Sequence, residues 1–237
     1  MIADLPSPAS DPLTGSRFLE TLYPRIQQFR RFRDDRERFA ARMVGRWRNG
    51  TPLIRSPERP LDNLAEENDF FYLPTDPHGY RCPIGAHVRR GNPRDALANA
   101  DAGLDAAGSL ERARRARIIR RGRPYYAEDG SVGLHFICLN ANLRDQFEFV
   151  QANWINGAAF AGLVDEVDPL IGALPGHLKR TKQSDSREFT IQQAPYPHRV
   201  SGLPDFVQVV GGGYFFVPSL NALRFLAEVP FPGLASG

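Results

Sequence analysis

Lysine is almost absent from this chain of 237 residues: only Lys179 and Lys182 occur, and every other basic side chain is an arginine. Cysteine is nearly as scarce. Cys82 and Cys138 stand 56 positions apart with no CxxC spacing, which argues against a disulfide scaffold and against a zinc ribbon, and fits a reducing compartment. No uninterrupted apolar run approaches the roughly 20 residues needed to span a bilayer. The opening MIADLPSPASDPLTG lacks the basic-then-apolar layout of a secretory signal. These absences predict a soluble, cytoplasmic chain. There is no GxGxxG before a helix, no P-loop, no HExxH and no GxSxG, so nucleotide binding, zinc proteolysis and serine hydrolysis lose their usual support.

With 42% apolar residues the chain can bury a real core. The net charge of +3 is too mild to call for a nucleic-acid partner. Arginine matters more in kind than in number, because its planar fork binds carboxylate or phosphate bidentately, although most arginines simply decorate a solvated surface.

The first fifteen residues, rich in Pro, Ser and Asp, are expected to be disordered or a connector, with one domain over 16–237. From 25 to 48, Phe32, Phe39, Met43 and Trp47 fall near one stripe and predict a helix that Gly50 and Pro52 end. Residues 55–81 read as loop, and 95–117 as a small-residue loop running into a basic turn. RIIRRGRPYY (117–126) and GLHFICLNAN (133–142) read as strands, the second buried. Phe147, Val150 and Trp154 put a helix over 143–155. FVQVVGGGYFFVP (206–218) reads as a strand broken by three glycines, and SLNALRFLAEV as a short helix with Ser219 as N-cap. The alternation indicates an α+β fold.

Five histidines are candidates for chemistry. His78 sits in a turn and reads as solvated, His135 as a core or half-buried strand residue, and His177 and His198 as surface. His87 differs, because RCPIGAHVRRGNPRD fixes the backbone around it with Pro83 and Gly85 and follows it with Arg89, Arg90 and Arg94. A neutral imidazole can bind iron, and guanidinium groups can neutralise the two propionates of a haem. A structural histidine is an equally good account of composition alone. No CxxCH is present, so any haem would be held noncovalently.

Taken in order, RCPIGAHVRRGNPRD, RIIRRGRPYY, GLHFICLNANLRDQFEFVQANWI, DPLIG and VVGGGYFFVPSLNALRFLA resemble the C-terminal half of a dye-decolorizing (DyP-type) haem peroxidase, over about Phe39 to Ala227. The resemblance implies a ferredoxin-like (dimeric α+β barrel) domain holding haem b, iron protoporphyrin IX, noncovalently. It implies His87 as the proximal iron ligand, Arg120 as the distal arginine, Asp168 as the carboxylate behind His87, and Arg89, Arg90 and Arg120 among the cofactor-binding residues. Hydrogen peroxide and an organic electron donor, dye or phenol-like, would be the reactants, with neither nucleic acid nor membrane as a partner. Tyr125, Tyr126 and Trp154 either relay a radical or only pack, packing being favoured.

Two departures stand against the family pattern. No GxxDG occurs anywhere in the chain, so the N-terminal partner domain that carries the family's catalytic aspartate is expected to be missing. The alternatives are then a haem-binding module without efficient turnover, or an inactive fragment, with self-association or a separate N-terminal half covering the face left open. The turn also reads PYY where the family has PYG, which predicts a strained Tyr126 at positive φ.

Overall fold

The structure is a computed structural model, and it describes residues 23, 24, 26, 36–98, 103–173 and 187–228. The expected connector over 1–15, the stripe residue Phe32 and His177 lie outside the described residues. The described residues up to 207 form one unit and those from 208 a second. None of the described helices is long and apolar enough to cross a membrane.

Helix α1 (Arg36–Val44) buries Phe39, Ala40, Ala41, Met43 and Val44 on the face that the i, i+4 spacing dictates. Burying a side chain of the size of Phe39 contributes about 2–3 kcal/mol. The helix stops at Val44, four residues short of the expected end at 48, because Gly45 takes φ +94° and donates its N–H to the Ala41 carbonyl at 2.6 Å. Trp47 then folds back beneath the following loop and donates from Nε1 to the Ser56 carbonyl at 2.7 Å. That loop is not loose: Phe70, Tyr72, Cys82, Ala86, Leu170 and Phe189 share one apolar core with α1.

A short helix α2 (His87–Gly91) follows, then α3 (Ala106–Arg115). Helix α3 corrects the reading of 95–117 as loop and turn. Asp105 caps it by accepting from the Gly108 amide at 2.7 Å, and Ser109 and Ala113 are its buried face. The cap and a single buried stripe replace the longer apolar pattern that would have signalled a helix.

Strands β1 (Ile119–Tyr126) and β2 (Val132–Leu139) pair antiparallel, with Arg120 opposite Cys138, Gly122 opposite Phe136 and Tyr126 opposite Val132. Tyr126 is therefore an ordinary strand residue, absent from the positive-φ positions. The tight turn is Ala127–Ser131, where Gly130 takes φ +79°. The strain expected at PYY is not there because the hairpin turns after it. Strand β2 is also less buried than its apolar run suggests, with Phe136, Ile137 and Leu139 exposed. His135, expected in or near the core, is exposed and stacks on Tyr125 at 4.5 Å.

Residues 144–155 are helical as their spacing indicates, but with π-type bonds such as Glu148 N–H to the Leu143 carbonyl. Trp154, Ile155, Phe160, Leu163 and Ala113 form a second core, and Ile171 touches both cores. A second hairpin, β3 (Arg187–Ile191) with β4 (His198–Leu203), alternates so that Phe189, Ile191, Val200 and Leu203 face inward. In the described residues the two hairpins are separate two-stranded sheets.

In the second unit, 208–219 has no regular structure, so the expected strand over 206–218 does not form. Helix α4 (Leu220–Glu228) begins where Ser219 Oγ accepts the Ala222 amide at 3.2 Å, as its N-cap position predicts.

Candidate functional site

His87 opens α2 with its side chain about one-fifth exposed, and its Nδ1 meets Asp168 Oδ2 at 2.9 Å. Asp168 is fully buried. Its other oxygen, Oδ1, accepts the amides of Leu170 and Ile171 at 2.9 and 3.0 Å, so the DPLIG turn aims Oδ2 at the ring. Burial alone would raise the pKa of Asp168. The charge and hydrogen bond of His87, with the two amides, outweigh burial and hold it below the usual carboxylate range. An ionised Asp168 accepts from Nδ1–H, so in the neutral ring Nε2 carries the lone pair. That tautomer is the one a metal-ligating histidine needs.

Asp168 is itself tied down. Its amide donates to the Ile155 carbonyl at 2.8 Å, which connects the turn to the π-helical segment. Arg90 makes the same connection from α2: Nη1 donates to the carbonyls of Trp154 and Gly157, and Nη2 to that of Glu166 at 2.6 Å, with the guanidinium 4.9 Å from the Phe160 ring. Arg89 is equally committed. It bonds Asp76 Oδ2, the Asp76 carbonyl and the Cys82 carbonyl, and lies 4.4 Å over the Tyr72 ring.

These contacts commit Arg89 and Arg90, expected among the cofactor-binding residues, to groups of the protein itself. Both are buried, and both spend their forks on the protein's own carbonyls and on Asp76. Spacing along the chain placed them beside His87, and the five-residue helix buries both guanidinium groups while the His87 side chain keeps about one-fifth exposure.

Arg120 lies elsewhere. It is exposed on β1, on the hairpin face shared with Gly122, Cys138 and Phe136, and Phe136 stacks against Phe147 at 6.3 Å. Among the described residues no hydrogen bond or ion pair joins Arg120 to His87 or Asp168. His87 and Asp168 are thus joined by a direct bond, and Arg120 stands on the β1–β2 hairpin.

Two carboxylates escaped the sequence reading. Asp76 organises the approach to His87 by accepting the amides of Arg81 and Cys82 at 3.0 and 2.9 Å as well as Arg89. Glu166 is 1% exposed, accepts the Thr190 amide at Oε2, and makes no hydrogen bond at Oε1. Burial raises its pKa, against the hydrogen bond to Thr190 and the charge of Arg90. The only sequence signal for Glu166 was its place two residues before Asp168 in DEVDP.

No protein-family model matches the chain. It is 34% identical over 210 residues to the multifunctional dye peroxidase DyP2 of Amycolatopsis sp., across 81% of this chain and 42% of that protein. It is 33% identical over 221 residues to the dye-decolorizing peroxidase msp1 of Mycetinis scorodonius, across 80% and 39%. In structure it is similar to the DyP-type peroxidase of Anabaena sp. (TM-score 0.58, 25% identity, 78% of this chain and 38% of that one) and to DyP2 from Amycolatopsis (TM-score 0.53, 28% identity, 80% and 41%). The chain spans about two fifths of the length of the relatives it matches.

Proposed function

We propose that this chain, which belongs to the dye-decolorizing peroxidase family, binds haem b noncovalently through His87 and serves the oxidation of an organic donor, dye or phenol-like, by hydrogen peroxide. The observation that carries the reading is the His87–Asp168 couple. A partly exposed imidazole whose Nδ1–H is held by a buried carboxylate presents Nε2 as a basic donor, the chemistry an axial ligand requires. These residues fit the group.

Haem, when bound, supplies the redox chemistry by which peroxide is reduced and the donor oxidised. The chain's part is electrostatic and positional. Asp168 holds a proton at Nδ1, fixes the ring's rotation and makes it a stronger donor. Arg120, always cationic, is the residue suited to stabilise negative charge developing on a peroxide oxygen. Arg89 and Arg90 keep α2 and its surroundings in place. The domain over 16–237 is read as the haem-binding unit.

One observation favours the runner-up, a haem-binding module without efficient turnover. Arg120, the residue suited to act on the peroxide, stands exposed on strand β1. The test is reconstitution with hemin of the wild type, His87→Ala and Arg120→Leu, followed by dye oxidation with peroxide. A histidine-dependent Soret band with turnover lost in Arg120→Leu supports the peroxidase. The same band without turnover in the wild type supports the module, and identical spectra for wild type and His87→Ala overturn both.

A further inference from the structure

Glu166 is a buried acid that nothing in the proposed chemistry uses. Its side chain bridges two parts of the fold that meet behind His87. Oε2 accepts the Thr190 amide of β3 at 2.9 Å, and Oε1 faces the backbone of Gly85, two residues before His87. A Cβ built on Gly85 would lie 2.3 Å from Oε1, closer than any non-bonded contact tolerates. Gly85 is not at a positive φ, so the glycine answers to this close approach and not to backbone conformation. The main chain of Glu166 is bound on both sides as well, its amide to the Ala158 carbonyl and its carbonyl to Arg90. The acid is therefore a rigid post against which the IGAH turn rests.

We propose that Glu166 is a positioning residue for His87: its carboxyl, wedged between the Thr190 amide and Gly85, sets where the turn delivers the imidazole to Asp168. The inference rests on the reading of His87 as the ligand only for its use, since the wedge itself is a property of the protein without haem. Glu166 and Asp168 then act on one ring from two directions, Asp168 at Nδ1 and Glu166 through the backbone that carries the ring.

The test uses the full chain without haem, labelled with 15N-histidine, and follows the His87 Nδ1 proton held by Asp168. Glu166→Gln keeps the size and an oxygen for Thr190, so its signal is expected to match the wild type. Glu166→Leu, which keeps the bulk and loses the oxygens, and Gly85→Ala, which collides with Oε1, are both expected to shift or lose the signal. Combining Gly85→Ala with Glu166→Ala removes the collision, so the pair is expected to disturb stability less than the sum of the two singles. A wild-type signal in a folded Glu166→Leu, or strict additivity in the double variant, overturns the proposal. If Glu166→Leu fails to fold, the double-variant cycle decides alone. Hemin titration of the same proteins separates the two readings: wild type indifferent to His87→Ala sinks the ligand role, while the wedge stands or falls on the haem-free spectra.

Discussion

Asp168 accepts Nδ1 of His87 with one carboxylate oxygen at 2.9 Å and takes two main-chain amides with the other, so the ring is oriented by a group that cannot itself rotate. Replacing Asp168 by Asn keeps an oxygen for Leu170 and Ile171 but turns an NH2 toward the ring. His87 must then accept at Nδ1 and carry its proton on Nε2. Hemin affinity is expected to fall about 10–100-fold, as for other partners behind a metal-bound histidine. Hemin titration monitored at the Soret band, with thermal unfolding of the same variant, checks it; an unchanged affinity in a folded variant contradicts the tautomer argument.

Arg90 should be needed for stability more than for cofactor binding. Arg90→Met leaves the carbonyls of Trp154, Gly157 and Glu166 without their donor in a dry interior. Unfolding by urea is expected to show a loss of about 3 kcal/mol. Arg90→Lys should recover little of it, because a single ammonium cannot span acceptors on two loops. Full rescue by lysine would show that charge alone is required.

The two cysteines should differ sharply in reactivity. Cys82 is buried, and burial pushes its thiol up to about 12, so it stays protonated throughout the neutral range. Cys138 is partly exposed on β2. Iodoacetamide at about pH 8 is expected to modify Cys138 alone in the folded protein and both in urea, as read by mass spectrometry. Rapid labelling of Cys82 without denaturant would mean that the loop beneath α1 opens.

Glu166 and Asp168 should bend the pH–stability curve in opposite senses. Asp168, with its folded pKa depressed, contributes stability that is present above the unfolded carboxylate value, about 3.9, and lost as pH falls through the folded one. Glu166, with its folded pKa raised, holds a proton that the unfolded chain has released, so its effect turns unfavourable as pH rises above about 4.3. Glu166→Gln removes only the second effect. The urea midpoint of Glu166→Gln minus that of the wild type should therefore grow from about pH 4.5 toward the folded pKa. A flat difference would mean that Glu166 is ionised in the fold.

What the sequence made legible was local. The β1 and β2 strands, the helical spacing of Phe147, Val150 and Trp154, the Ser219 cap and the prominence of His87 all follow from periodicity, turn residues or an ordered run of motifs. Helix α3 was missed because its cap, Asp105, sits in a small-residue stretch with little apolar pattern. The protein acceptors of Arg89 and Arg90 were not legible because they lie as far as 76 residues away, and composition cannot tell a surface guanidinium from one enclosed by carbonyls. Asp76 and Glu166 act through backbone amides, and such bonds leave no mark in the spacing of side chains.

His87 and Asp168 stand 81 positions apart in sequence. Closing a flexible loop of that size costs roughly 4 kcal/mol of chain entropy, so no local fragment forms the couple by itself. The imidazole and its carboxylate are strangers in the unfolded chain and meet only when both cores have assembled. Any ligand that needs them together recognises the finished fold alone, and by mass action each tenfold excess over its dissociation constant adds about 1.4 kcal/mol to the native state. A protein that is marginal when empty would thus draw a measurable part of its durability from what it carries.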